Sequence, residues 1–111
     1  MNTADILDKA ADLIDRRGWN QGWYINTDGE MCPRGAIYAA CGMQPNPNPS
    51  VDVMDWPGWS SSAADNAITA CDWLDEAVDD YAESWNDDEG RTKEEVVSTL
   101  RAAAQAARAE Q

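Results

Sequence analysis

Apolar residues recur at every third or fourth position in three stretches of the chain, the spacing that gathers them on one side of an α-helix. In the first stretch Ile6, Leu7, Ala10, Ala11, Leu13 and Ile14 share a side, and Asp5, Asp8, Asp12 and Asp15 line the opposite one. Asn2 or Thr3 can cap the start and Gly18 stands where helices commonly stop, which predicts a helix over 3–17. Acids early and Arg16-Arg17 late also suit the helix dipole. The second stretch begins within Ser60-Ser61-Ser62 and carries the stripe Ala64, Ala67, Cys71, Leu74, Val78, Tyr81 and Trp85, predicting a helix over 61–85 that Asp87-Asp88-Glu89-Gly90 breaks. In the third, Thr92-Lys93-Glu94-Glu95 forms a capping box. Val96, Val97, Leu100, Ala103, Ala104 and Ala107 then fill about 120° of a helix over 93–109.

Between these stretches the pattern is less regular. Trp19 to Met31 reads as an irregular loop with two buried tryptophans, Trp19 and Trp23, and a turn at Thr27-Asp28-Gly29-Glu30; Tyr24-Ile25 could form half of a short hairpin. Cys32-Pro33-Arg34-Gly35 opens a short helix over 33–41, because proline is tolerated at a first helical position. Gly35 and the alanines after it would let another backbone approach closely. Residues 43–60 are dense in proline and asparagine and predict a long loop, with Val51, Val53, Met54, Trp56 and Trp59 available to pin it. The sum is a compact all-α bundle of about four helices with a long Pro/Asn/Trp-rich loop, one domain over 1–111.

Composition complicates that picture. Leu, Ile and Val number 4, 5 and 5, Phe is absent, and the net charge is −13, a combination typical of disordered chains. Six Trp and three Tyr oppose it, since each buries roughly 150–250 Å² and can replace several aliphatics. No apolar run approaches the roughly 18 residues of a membrane span, and clustered cations for phosphate contacts are missing, so neither membrane nor direct nucleic-acid binding is expected. Without histidine, imidazole-based catalysis and metal ligation fall away. Cys32, Cys41 and Cys71 cannot form a closed disulfide set, and the N-terminal residues lack a signal-peptide pattern, so reduced thiols in a cytoplasm are the expectation. Cys32 at a helix N-terminus beside Arg34 has two features that lower a thiol's pKa, but no base stands by, and a small buried cap residue is the default. Centring an EF-hand loop on Gly90 or Gly29 puts Trp85 or Tyr24 at the first ligand position. No catalytic residue, cofactor or metal is therefore assigned.

Three segments taken together, Gly18-Trp19 with Trp23, Cys32-Pro33-Arg34-Gly35-Ala36, and Trp85-Asn86-Asp87 followed by Thr92-Lys93-Glu94-Glu95-Val96, resemble a family of small proteins of unknown function from actinobacteria and their phages. The resemblance supplies no catalytic residues. It implies a small accessory protein, phage-encoded and acting in its host, with Trp85 as a plug and Asp87 tying the turn into the last helix.

Charge gives the remaining candidates. Between Gly35 and Gly90 stand twelve acids and no base. Asp65, Asp72, Asp75, Glu76, Asp79, Asp80 and Glu83 fall within about 140° of the helix read over 61–85, roughly one charge per 4 Å against 3.4 Å per phosphate of a DNA strand. Trp73, about 110° from the stripe's centre, flanks this arc as an interface anchor unless the Pro-Asn loop covers it. The expectation is binding of a host protein through Asp72, Trp73, Glu76, Asp79, Asp80 and Glu83, with interference in host growth. The alternatives are a DNA-mimic decoy for a basic nucleic-acid-binding protein and a small carboxylate-dependent enzyme. The alanine run Ala102-Ala103-Ala104 with Ala106-Ala107 also permits a homodimer.

Overall fold

Asn2 accepts a hydrogen bond from the Asp5 amide at 2.8 Å and so starts α1, Thr3–Arg17, the element around which the rest is arranged. The computed structural model describes residues 1–110. Every apolar position expected on the inner side of α1 is buried, and Ala4 joins them. Against that side pack α2, Pro33–Ala40, and α5, Lys93–Ala109, whose Val96, Leu100, Ala103, Ala104 and Ala107 are buried in turn. The small alanines bring α1 and α5 close enough for their polar flanks to pair. Arg101 reaches Asp12 at 2.8 Å and Asp8 at 3.8 Å, Arg108 reaches Asp8 at 2.8 Å and Asp5 at 3.2 Å, and Lys93 stands 3.9 Å from Asp15. The capping box is present, with the Glu95 amide donating to Thr92 Oγ1 at 3.2 Å.

The 61–85 stretch differs from its sequence pattern. Ser60 caps α3, Ser61–Val78, but the helix ends at Asp79, which takes a left-handed conformation (φ 54°, ψ 40°). A second helix, α4, covers Ala82–Asp87. The stripe of apolar residues predicted continuity, yet four acids, Asp75, Glu76, Asp79 and Asp80, oppose the dipole at the C-terminal end. Two of them also compete for backbone donors: Asp75 accepts from the Ala82 amide at 2.8 Å and Asp80 from the Tyr81 amide at 2.7 Å. Leu74, Cys71 and Ala67 are buried as expected, Ala64, Val78 and Trp85 are half-buried, and Tyr81 leaves the core at 72% exposure.

The long loop is tied down by its own side chains. Asn46, Asn48 and Asp52 each accept from the amide two residues on, and Val53–Asp55 form a single 3₁₀ turn. Trp56 is buried edge-on against Tyr24 and Tyr38, whose rings lie 5.1 and 5.7 Å away and nearly perpendicular to it. Its buried indole N–H has no hydrogen-bond partner among the described residues. Trp59, Val51 and Val53 pack half-buried on the core, whereas Met54 points outward at 62% exposure and pins nothing. The radius of gyration, 12.7 Å, is that of a folded chain (about 13 Å at this length), not of the disordered one its aliphatic content suggests.

Candidate functional site

The three motif segments, far apart in sequence, converge on one cleft of about 140 Å³. Gly35 makes the convergence possible. A Cβ there would lie 2.0 Å from the Tyr24 carbonyl oxygen, so the Trp19–Met31 segment crosses α2 backbone against backbone, with the Cys32 amide donating to Tyr24 O at 3.2 Å. This is the close approach the sequence suggested. The segment itself folds around Asn26, whose carboxamide accepts from the Asp28 and Glu30 amides, and isolated bridges join Met31 to Trp19 and Ile25. Trp19 and Trp23 are half-buried rather than buried.

On the other side α4 supplies Asn86, a buried carboxamide with both ends used. Its Oδ1 accepts from Trp19 Nε1 at 2.6 Å and its Nδ2 donates to Asn20 O at 3.1 Å. Gln21 donates to the Asn86 and Asp88 carbonyls at 2.9 and 3.1 Å, and the Gly22 amide donates to Asp87 Oδ1 at 2.9 Å. Asp87 thus ties its turn to the first loop and not to the last helix, its carboxylate accepting from the Gly22 amide. The tie to α5 belongs to Arg91, which pairs with Asp88 and Glu95, donates to Trp85 O, and lies 4.2 Å over the half-buried Trp85 ring.

Trp23 and Tyr24 wall the cleft, their rings 4.8 Å apart at 70°, while Arg34, Glu83 and Asp87 bring charge to it. Arg34 is held by an ion pair with Glu83 and by the Tyr38 hydroxyl, which accepts from Nη2 at 3.4 Å; its Nε is buried without a partner. Burial pulls the Arg34 pKa down, but Cys71, Tyr38 and Glu83 around it outweigh this and raise it, so the guanidinium stays charged. Burial also raises the Tyr24 phenol. Cys32 Sγ does cap α2, accepting from the Gly35 amide at 3.4 Å, yet burial pushes its thiol up to about 11. The lowering expected from the helix start and Arg34 is present but smaller than the desolvation, so at neutral pH Cys32 is a protonated cap residue.

Of the six residues expected at a partner surface, only Glu83 reaches this cleft. Asp72, Glu76, Asp79 and Asp80 are exposed, the first two on α3 and the others on the turn that ends it. Trp73 is half-buried, packed against the core. The row of seven carboxylates at phosphate spacing is not formed either, since the helix stops at Val78 and Glu83 turns to Arg34. The sequence reading missed Trp23, Tyr24 and Arg34 as cleft residues. For Trp23 and Tyr24 the signal was a run of aromatic residues in a segment that fits no helical stripe, and for Arg34, inside a predicted helix, there was none.

Fold and site together define a small all-α domain whose second, fourth and loop elements are locked around an aromatic, charge-lined cleft. The chain belongs to the family of unknown function DUF6197, whose model matches residues 1–106. No curated protein and no solved structure matches it. Among the described residues no helix is long and apolar enough to cross a membrane, and no group of three or more Cys, Asp or Glu is placed to hold a metal ion.

Proposed function

We propose that this chain is a binding protein whose partner is a basic macromolecule, engaged by the acidic surface of α3 and the turn after it. One observation carries the reading: the unequal neutralisation of its two acidic helices. All four acids of α1 are paired with cations of α5, whereas Asp65, Asp72, Asp75, Glu76, Asp79 and Asp80 have no ion-pair partner among the described residues. Unpaired like charges repel one another and destabilise the fold, and a basic partner would relieve that repulsion while being steered to the surface. Tyr81, turned outward by the helix break, and Ile68, 48% exposed one turn from Asp65 and Asp72, add the apolar contacts that charge alone does not supply. Tyr81 takes the anchoring role that the sequence suggested for Trp73.

The actinobacterial or phage setting and interference with host growth belong to this proposal as the place to look for the partner. The test is a pull-down from an actinobacterial lysate at low and high salt, with wild type, an Asp72→Lys/Glu76→Lys/Asp79→Lys variant and Tyr81→Ala. A partner held at low salt, weakened at high salt and lost with the triple variant supports the reading. A partner indifferent to both salt and charge reversal overturns it. Expression in the same host, with growth followed, tests the interference separately.

A further inference from the structure

The cleft carries a more specific reading than the surface around it. Its walls are the rings of Trp23 and Tyr24, its floor includes the buried Asn86, and its charged groups are Arg34, Glu83 and Asp87. The charges do not cancel. Arg34 and Glu83 pair with each other, and Asp87 gives one oxygen to the Gly22 amide while its negative charge is met by no cation among the described residues. One uncompensated carboxylate beside two aromatic rings, in a protein of net charge −13, is the setting that attracts a single cation. The volume, about 140 Å³, has room for one guanidinium or ammonium on a short alkyl stem. An anion would enter past the Asp87 carboxylate against the field of the whole molecule.

We infer that the cleft between the Trp23–Tyr24 loop and α4 receives one arginine or lysine side chain of a protein partner. The natural occupant rests on the reading of a basic partner, but occupancy is measurable without one. N-acetyl-arginine amide serves as the probe, N-acetyl-citrulline amide as its neutral isostere, and inorganic phosphate as the anion. Binding is followed by ¹H–¹⁵N NMR at the Gly22 amide, the Trp23 indole and the Arg34 Nε–H.

The arginine probe is expected to shift the Gly22 and Trp23 signals saturably, and citrulline is expected to leave them in place. Asp87→Asn keeps an oxygen for the Gly22 amide while removing the charge, and it should weaken the probe about three- to tenfold. Equal binding of citrulline, a preferential response of Arg34 to phosphate, or no localised shift at all overturns the inference. The two readings fail differently. A lysate partner lost on charge reversal of α3 but unaffected by Asp87→Asn leaves the surface proposal standing and removes this one.

Discussion

Replacing Gly35 by alanine asks whether the cleft depends on a backbone crossing. Gly35 lies inside α2, where alanine is preferred over glycine by about 1 kcal/mol on propensity alone. If nothing stood near it, Gly35→Ala would stabilise the protein. The added Cβ instead meets Tyr24 O at 2.0 Å and the Tyr24 carbonyl carbon at 2.7 Å, both backbone atoms that cannot rotate away. Restoring ordinary contact requires the two segments to part by more than about 1 Å, an overpacking strain of about 1–3 kcal/mol. That separation also lengthens the 3.2 Å bond from the Cys32 amide to Tyr24 O, for about 1 kcal/mol more. After the propensity gain the net destabilisation is about 2 kcal/mol, or about 8 °C in melting temperature for a domain of this size. Thermal unfolding followed by circular dichroism at 222 nm reads it directly. Because Tyr24 walls the cleft, the arginine probe should weaken in the same variant. A melting temperature at or above that of wild type would refute the crossing and the account of how the three segments are brought together.

Two further perturbations test other parts of the site. Asn86→Ala removes the partners of Trp19 Nε1 and Asn20 O in a part-buried place, and should cost about 2 kcal/mol in urea unfolding, against under about 1 kcal/mol for Ser84→Ala on the exposed side of α4. The thiols predict an alkaline limit. Cys32 and Cys71 rise from a usual 9.0 to about 11 and about 12 because burial disfavours the thiolate. Groups raised in the fold contribute stability below the unfolded value that is lost as pH climbs through the folded ones, so stability should fall from about pH 9 to pH 12. In the native protein at pH 8, iodoacetamide should modify the half-buried Cys41 first; modification of Cys32 or Cys71 at a comparable rate would contradict their burial.

The parts of the fold legible in the sequence are those fixed by neighbours three or four residues away. A cap at Asn2 or Thr3, the inner side of α1 and the Thr92–Glu95 box all follow from local spacing, and all three are found, with Asn2 as the cap. Gly35 was legible too, since a glycine in the first turn of a helix that opens on a proline, followed by small residues, has few reasons other than close packing. The end of α3 was not. A hydrophobic stripe records which side would face the core if the helix continued, and Tyr81 and Trp85 keep its spacing. It contains nothing about carboxylates that capture amides and oppose the dipole. The cleft was illegible for a different reason: Trp19, Asn86 and Asp87 meet across more than sixty residues of chain, through hydrogen bonds that leave no periodicity.

That unread helix end is also what makes the site. Had the helix run unbroken to Trp85, Glu83 would have shared the outward arc with Asp65, Asp72 and Glu76, leaving Arg34 partly buried with no carboxylate, an arrangement that destabilises strongly. Tyr81 would have been inside, and the surface would have carried an even row of charges with Ile68 as its exposed large apolar side chain. The left-handed residue at Asp79 redirects the chain, so that Ala82 takes its cap from Asp75, Glu83 reaches Arg34, and Asn86 arrives at the Trp19 indole. The same turn that exposes Tyr81 therefore closes the cleft. Glu83 belongs to the cleft, where its pairing with Arg34 leaves Asp87 as the carboxylate that no cation meets among the described residues. A side chain too short to hold Arg34 in place, Glu83→Asp, should therefore weaken the arginine probe and leave a partner held by the α3 surface unchanged.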